Sequence, residues 1–279
     1  MEKVKILVAC HKPSKVFRDD IYAPIHVGKA LSNYQMNMIG DDTGDNISIK
    51  NSMYCELTAE YWGWKNVNDI EYIGLCHYRR YFATRISFNN IDTLLGKKCD
   101  VILPEPIVDR FSAGIRLLHG VCVEDINIFL SVIKEQSPEY YSSALSYLRH
   151  NRWIGFNMFV MRKKLFDEFA QWQFSLLQVI EEYVKLSEYT RMKRLFGYLG
   201  EVMLAIWCLH NKLEVFYDKV VPYPDSKVSL SMLKSVLYKM YNSTAFFFQR
   251  EDLHWLNSPS IIVGLKNDGI YDEVGHLKK

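Results

Sequence analysis

The stretch IGLCHYRRYF, residues 73–82, places several chemically versatile side chains directly after an apolar run. These side chains are His77, Tyr78, Arg79 and Arg80. Arginine is always charged, and its fork of donors fits phosphate or carboxylate groups bidentately. In open α/β sheets, ligands bind beyond the carboxyl ends of the strands. The pattern predicts that the two arginines hold a diphosphate and stabilise the charge on a leaving group, while His77 and Tyr78 border the ligand.

The two arginines also have a purely structural interpretation. One guanidinium would face solvent, and the other would form an ion pair with a structural acid such as Glu56 or Glu105. The sequence leaves both interpretations open, and the position of these carboxylates in the fold decides between them.

A second polar group lies in the loop GDDTGDNISIKN, residues 40–51, where no hydrophobic periodicity survives. Its candidate ligand-binding residues are Asp41, Asp42, Asp45 and Asn46. Carboxylates grouped in a glycine-containing loop bind sugar hydroxyls, a ribose or a divalent cation. The structural alternative is a set of Asx turns and a helix cap. Asp42 is also a candidate general base.

Four further residues are candidates because of their positions. Glu201 is a lone acid early in the apolar helix pattern GYLGEVMLAIW, so it is predicted to be paired or to serve as a general base. His11 and Lys12 follow the first strand pattern and are predicted to border a nucleotide. Asn157 stands beside the strand-like MFVM and is predicted either to face a ligand or to pack in a turn.

Composition and missing motifs exclude several classes of protein. The chain has 279 residues, of which 49% are apolar, and a net charge of +2, which does not favour nucleic-acid binding. It contains no GxGxxG, P-loop, GxSxG or HExxH motif and no zinc-spaced cysteines. The six cysteines form no CxxC pair, so reduced thiols are expected. No metal site is predicted, since an Asp-x-Asp motif at a strand end is missing.

Alternating strand and helix patterns predict an α/β sheet flanked by helices. The predicted strands are residues 4–10, 69–78, 99–106, 157–161 and 213–223. The predicted helices are residues 53–66, with Asn51 or Ser52 as N-cap, 121–150, with a new turn starting at Pro138, 162–184 and 197–211. The expected domain organisation is a main domain over residues 1–224 and a C-terminal appendage over residues 225–279.

Residues 226–250 differ from the rest because they include basic residues and no acidic ones. The basic residues are Lys227, Lys234, Lys239 and Arg250. Leu233, Val236, Leu237, Met240 and Tyr241 are spaced as one helical face. Such a helix binds an anionic membrane surface or covers a core. Without a signal-peptide pattern or a spanning run, the chain is expected to be cytoplasmic, with this segment as a candidate contact to the inner membrane face.

Several segments together resemble a bacterial family first catalogued as a domain of unknown function. They are KILVACHKP, YAPIHVGKAL, DDTGDNISIKNSMYCELTAEYWGWKN, YIGLCHYRRYF, DVILPEP, NMFVMRKKLFDEF and FGYLGEVMLAIW, in the expected order over about residues 3–220. The family is associated with capsule, exopolysaccharide and O-antigen synthesis and is regarded as glycosyltransferase-like. This chain departs from the family pattern at Val202, where the GYLGE motif is usually followed by arginine.

The resemblance implies a GT-A-like, Rossmann-like domain and a hexosyltransferase activity. The implied donor is a UDP-linked galactose or galactofuranose, and the implied acceptor is a lipid-linked oligosaccharide. A divalent cation, Mn²⁺ or Mg²⁺, is compatible with the loop carboxylates but is not required by the sequence. The alternative is a non-catalytic protein of a polysaccharide assembly complex that binds a nucleotide sugar or a glycan.

Overall fold

The computed structural model describes residues 2–96, 99–223, 232–249 and 253–278. The strands are Glu2–Cys10 (β1), Tyr22–His26 (β2), Ile39–Gly40 (β3), Ile70–His77 (β4), Arg80–Phe82 (β5), Val101–Pro104 (β6), Ile107–Val108 (β7), Arg152–Trp153 (β8), Phe159–Arg162 (β9), Val215–Asp218 (β10) and Val220–Pro222 (β11). The α-helices are Asn51–Tyr54 (α1), Leu57–Asn66 (α2), Ile91–Leu94 (α3), Ala113–Leu117 (α4), Val123–Gln136 (α5), Pro138–Arg149 (α6), Lys163–Tyr183 (α7), Leu195–His210 (α8), Met232–Phe248 (α9) and Pro259–Asn267 (α10).

The main sheet has the strand order β10-β6-β9-β4-β1-β2-β3, with β5 and β11 attached at the end of β4. β1 is parallel to both β2 and β4, whereas β9 is antiparallel to β4 and β6. The chain therefore leaves β1 towards β2 on one side and returns to β4 on the other. This reversal is a topological switch point at the carboxyl ends of β1 and β4, where open α/β sheets bind ligands, and we call this place the crevice.

Alternating side chains of the central strands contribute to two cores on opposite faces of the sheet. Leu7 and Leu75 belong to the larger core, which includes residues of α2, α5, α6, α7 and α8. Ile6 and Cys76 belong to the smaller core, which is covered by α3, β5 and loop residues. Because β4 is covered on both faces, its side chains are almost continuously buried. The predicted mixed α/β sheet flanked by helices is confirmed.

Two predicted elements are interrupted in the structure. The expected helix over residues 53–66 is broken at Cys55, which has a left-handed φ of 52°, and it divides into α1 and α2. Asn51 is the first residue of α1 and not its N-cap. The expected late strand over residues 213–223 divides into β10, which pairs with β6, and β11, which pairs with β5. In both places tertiary contacts override a continuous local pattern.

The C-terminal residues that the structure describes differ in burial. Leu253, Leu256, Leu265 and Tyr271 are buried and join the larger core. By contrast, most side chains of α9 described by the structure are exposed or partly buried. Lys227, Arg250 and the side chain of Leu233, which belong to the predicted basic segment, lie outside the residues described.

Replacing Gly74 with alanine is expected to destabilise the fold by about 1–3 kcal/mol, the usual cost of overpacking a tight core. A Cβ atom at Gly74 would lie 2.8 Å from the carbonyl oxygen of Phe159 and 2.9 Å from Cγ2 of Val160. Gly264 in α10 is the matched control, since a Cβ atom there meets nothing within 4 Å. Urea unfolding should show Gly264→Ala unchanged or stabilised by up to about 1 kcal/mol. Equal stability of both variants would contradict the described packing of β4 against β9.

Candidate functional site

Cationic side chains meet at the crevice formed by the carboxyl ends of β1 and β4. The edge of the His11 ring faces the Tyr78 ring, with centroids 5.4 Å apart. The Arg79 guanidinium lies 5.0 Å from the centre of the same tyrosine ring, and that of Arg80 lies 4.5 Å from the ring of Phe156. Within the described residues, neither arginine forms an ion pair with a carboxylate. Both guanidiniums therefore keep their capacity to bind an anion.

The pKa of His11 reflects the positive potential at this crevice. Its partial desolvation and neighbouring positive charges both lower the pKa of its imidazole. The contributing charges are those of Lys12, Arg79, Arg194 and His77. A cluster of this kind, with aromatic walls and little internal neutralisation, is suited to a phosphate-containing ligand. We refer to His11, Lys12, Arg79 and Arg194 as the cationic rim.

A carboxylate network lies beside the cationic rim. Asn157 donates from Nδ2 to Glu56 Oε1 at 2.8 Å and to the Gly197 carbonyl at 2.9 Å. His77 Nε2 lies 3.8 Å from the same Glu56 oxygen and 2.5 Å from the carbonyl oxygen of Phe156. Because a carbonyl can only accept, this contact assigns the proton to Nε2 of His77. Glu56 and His77 keep 11% and 14% of their side chains exposed, so they remain reachable from the crevice.

Glu201 is the second carboxyl of this network. Its Oε2 accepts a hydrogen bond from Trp153 Nε1 at 2.9 Å, and the backbone N–H of Phe156 also donates to it. Desolvation, followed by repulsion from Glu56, raises the pKa of Glu201 to about 7. Glu201 can therefore exchange a proton near neutral pH, which is the property required of a general base.

Strained backbone and close helix packing hold the carboxylate network in place. Cys55, Phe156 and Asn157 all adopt positive φ angles, at 52°, 77° and 49°. Such conformations are uncommon outside glycine and concentrate at functional sites. A Cβ atom at Gly200 would lie 2.8 Å from Leu57 and 2.9 Å from Asn157 Oδ1. Glycine at this position therefore lets α8 approach close enough to bring Glu201 into the network.

The aspartates of the loop over residues 40–51 are distributed differently from the cationic side chains. Asp41 is fully buried, and its carboxylate accepts from the backbone N–H groups of Gly28 and Lys29 and from the Ser48 hydroxyl. These donors satisfy the carboxylate within the protein, so the contacts give Asp41 a positioning role for the loop after β2. Asp42 is exposed close to Lys29.

Asp45 and Asn46 lie towards the opposite end of α2 from Glu56. Asp45 accepts from the Tyr61 hydroxyl at 3.1 Å, and its carbonyl accepts from Asn66 at 2.8 Å. Tyr61 and Asn66 are five and ten residues beyond Glu56, roughly 7 and 15 Å along a helix axis. Asn46 makes an Asx turn to Ser48. The structure thus does not bring these two side chains to the crevice. In the parts of the chain that the structure describes, no three His, Cys, Asp or Glu side chains are grouped as a metal site.

Most other predicted site residues meet at the crevice, and two residues that the sequence does not place in the site meet there too. The predicted residues are His11, Lys12, His77, Tyr78, Arg79, Arg80, Asn157 and Glu201. The two others are Glu56 and Arg194. The sequence indicates for Glu56 only an ion pair with an arginine, whereas the structure pairs it with Asn157. Arg194 reaches the crevice by donating from Nε to Cys55 Sγ at 3.2 Å, a contact that no local pattern signals.

Comparison with known proteins places the chain in a family. No curated protein matches it. A solved structure titled WbbM bifunctional glycosyltransferase, in its apo state, is similar, with a TM-score of 0.69 and 27% sequence identity. The match covers 82% of this chain and 47% of that one, so the chain corresponds to about half the length of WbbM. The family described as "Domain of unknown function (DUF4422)" matches residues 5–212, and the chain therefore belongs to the DUF4422 family.

Proposed function

We propose that the protein is a glycosyltransferase of surface polysaccharide synthesis. It transfers a hexose, galactose or galactofuranose, from a UDP-sugar to a lipid-linked oligosaccharide. The observation that carries this proposal is the cationic rim beside a carboxylate network that includes Glu201, a carboxyl whose pKa is raised to about 7. The similarity to the glycosyltransferase WbbM supports the same reaction class. The choice of donor sugar and acceptor follows the resemblance to families of capsule and O-antigen synthesis.

The cationic rim binds the diphosphate of the donor in this proposal. Arg79 and Arg194 approach the crevice from β4 and from the turn before α8, so two elements can clamp one diphosphate. Lys12 and His11 border it at the end of β1. The Tyr78 hydroxyl is buried, and the tyrosine contributes its ring, which the His11 ring and the Arg79 guanidinium both contact. These groups stabilise the negative charge that develops on the departing UDP.

The carboxylate network activates the acceptor. Glu201 removes the proton from the acceptor hydroxyl while its oxygen attacks the anomeric carbon of the hexose. The bond between the anomeric carbon and the diphosphate oxygen breaks, and UDP leaves with the bonding electron pair. Glu56 keeps the pKa of Glu201 raised and, with Asn157 and His77, orients the sugar. A single displacement of this kind inverts the anomeric carbon.

Within this proposal the domain is a variant of the GT-A fold. The end of β4, with His77 to Arg80, occupies the place where many such enzymes carry a metal-binding Asp-x-Asp motif. The side chains at that place are cationic and aromatic, and those of Asp45 and Asn46 lie elsewhere. We propose that the arginines supply part of the positive charge that a metal ion provides at the diphosphate in those enzymes.

Turnover is accordingly expected to persist in EDTA at the rate measured without it. The physical reason is that Arg79 and Arg194 supply the positive charge on the leaving group. Release of UDP from the donor, followed with and without the chelator, checks this expectation. If EDTA abolishes activity and manganese restores it, the diphosphate is bound by a cation that the exposed Asp42 and its neighbours hold, and the expectation is wrong.

The direct test of the reaction uses UDP-galactose and UDP-galactofuranose with a synthetic lipid-linked saccharide. The expected product carries one additional hexose by mass spectrometry, and an equal amount of UDP is released. Glu60→Gln is a matched control because Glu60 is a buried carboxyl one helical turn from Glu56 that feels the charge of Glu56 but has no described hydrogen bond to Glu56, Asn157 or Glu201. Tight binding of the donor without any product from either sugar would instead indicate a non-catalytic nucleotide-sugar-binding protein.

A further inference from the structure

Helix α9 contacts the protein through polar side chains and the partly buried Phe246, while most of its large apolar side chains are exposed. Asn242 is 3% exposed and donates from Nδ2 to the carbonyl oxygen of Val108 at 2.9 Å. Lys239 contacts the carboxylate of Glu105. Amphipathic helices of globular proteins normally pack the opposite way, with their apolar side against the core. The exposed apolar side chains of α9 therefore indicate a binding partner outside the folded domain.

The outward side of α9 groups large exposed apolar side chains, with the exposed Thr244 among them. Its apolar residues, with their exposed fractions, are Val236 (48%), Leu237 (55%), Met240 (62%), Tyr241 (65%), Phe247 (75%) and Phe248 (80%). At 100° per residue these positions span an arc of about 140° on the helix. We call these six residues the apolar face. A grouped apolar surface of this kind marks an interaction site.

Charge around the apolar face indicates the kind of partner. Residues 226–249 include lysines and no acidic residue. Arg152 is exposed and is the cross-strand partner of Val108, whose carbonyl anchors α9. A second copy of the chain docked through the same face would bring these like charges together, which opposes association. An anionic partner is complementary to them.

We propose that α9 docks the protein on an anionic phospholipid bilayer surface. The apolar face enters the boundary between headgroups and acyl chains, while Lys234 and Arg152 lie at the level of the headgroups. Exposed tyrosine and phenylalanine side chains suit this interfacial depth. No described helix is long and apolar enough to span a membrane, so α9 lies along the surface.

The topology gives this docking a consequence for the candidate site. β9 is antiparallel to both β4 and β6, so β4 and β6 end at the same edge of the sheet. Glu105 and Val108, which anchor α9, directly follow β6. Docking through α9 therefore brings the edge that carries the crevice towards the bilayer surface, where a lipid-linked acceptor is located.

Vesicle sedimentation of the full chain, without donor or acceptor, tests the docking independently of the proposed reaction. The protein should sediment with vesicles of phosphatidylcholine and phosphatidylglycerol, and much less with phosphatidylcholine alone. The double variant Leu237→Gln/Phe247→Gln should lose at least about tenfold in partition, because two large apolar side chains no longer enter the bilayer. Val274→Gln is the matched control, since Val274 is 79% exposed outside α9 and should sediment as the wild type does.

Three outcomes would overturn the proposal. The first is wild-type protein that stays in the supernatant with both kinds of vesicle. The second is wild-type protein that binds neutral and anionic vesicles equally, or a double variant that binds anionic vesicles as well as the wild type does. The third is a concentration-dependent dimer in sedimentation velocity that the double variant abolishes, because the occupant of the apolar face would then be a second copy. Thermal melting of each variant confirms that the fold is retained.

Discussion

Replacing Glu201 with glutamine is expected to lower the rate of hexose transfer by about 10²–10⁴-fold, the usual contribution of a general base. The amide cannot take the proton of the acceptor hydroxyl, but its oxygen can still accept from Trp153 Nε1. Donor binding should therefore be retained while kcat falls. In the wild type, kcat/KM should rise with pH through about 7, where Glu201 loses its proton.

The same substitution is expected to stabilise the fold at alkaline pH. The pKa of Glu201 is raised from its ordinary 4.5 to about 7 in the folded state. Between these values the folded protein holds a proton that the unfolded chain releases, so wild-type stability falls as the pH rises through this window. The neutral glutamine avoids that loss. At about 1.4 kcal/mol per pKa unit, the variant should gain up to roughly 3 kcal/mol above pH 7 relative to pH 5.

Urea unfolding at pH 5 and pH 8, combined with steady-state kinetics, measures both effects of Glu201→Gln. Glu60→Gln distinguishes a general base from any buried carboxyl, since the pKa of Glu60 is also raised by burial and by Glu56. Only Glu201→Gln should lower the rate of turnover. If it retains the full wild-type rate with an unchanged pH profile, Glu201 is not the base.

Removing Arg79 or Arg194 is expected to weaken UDP binding by about 10–100-fold each, since a charge-assisted hydrogen bond contributes about 1.5–3 kcal/mol. The double variant Arg79→Ala/Arg194→Ala should lose more than either single variant, and kcat should fall with affinity because the leaving group loses its stabilisation. Calorimetric titration with UDP at low and high salt measures the loss. The wild-type affinity should decrease with salt more steeply than that of the double variant.

Arg85→Ala is the matched control for the two arginine variants. Arg85 is an exposed arginine that pairs with Asp19 at 2.9 Å and contributes nothing to the cationic rim. Its removal should leave UDP affinity unchanged. An Arg79→Ala variant that binds UDP as tightly as Arg85→Ala would remove the end of β4 from the donor site.

The strand-end residues could be predicted because their signal is local. The apolar run before His77 marks a buried central strand, and the residues after such a strand emerge at the sheet edge where ligands bind. The spacing of Val236, Leu237, Met240 and Tyr241 is likewise a local signal, and it predicts an amphipathic helix where the structure has α9. Periodicity does not say which way a face points, however, and these side chains point to solvent.

The place of Glu56 in the site could not be predicted because it depends on contacts between distant segments. Glu56 reaches the crevice only because the helix breaks at Cys55, and α8 packs beside this break through Gly197. Asp41 shows the converse case. The sequence reveals a carboxylate in a loop, whereas the donors that surround it, from Gly28, Lys29 and Ser48, come together only in the fold.

The most direct test of the donor site is a thermal-shift series of nucleotides and nucleotide sugars with the wild type and the Arg79→Ala variant. A ligand that binds only the folded state raises the melting temperature. UDP and UDP-linked hexoses should raise the melting temperature of the wild type, with a smaller effect in Arg79→Ala, whereas ADP and GDP should have none. The absence of a shift with any nucleotide would contradict the assignment of the cationic rim to a nucleotide-sugar diphosphate.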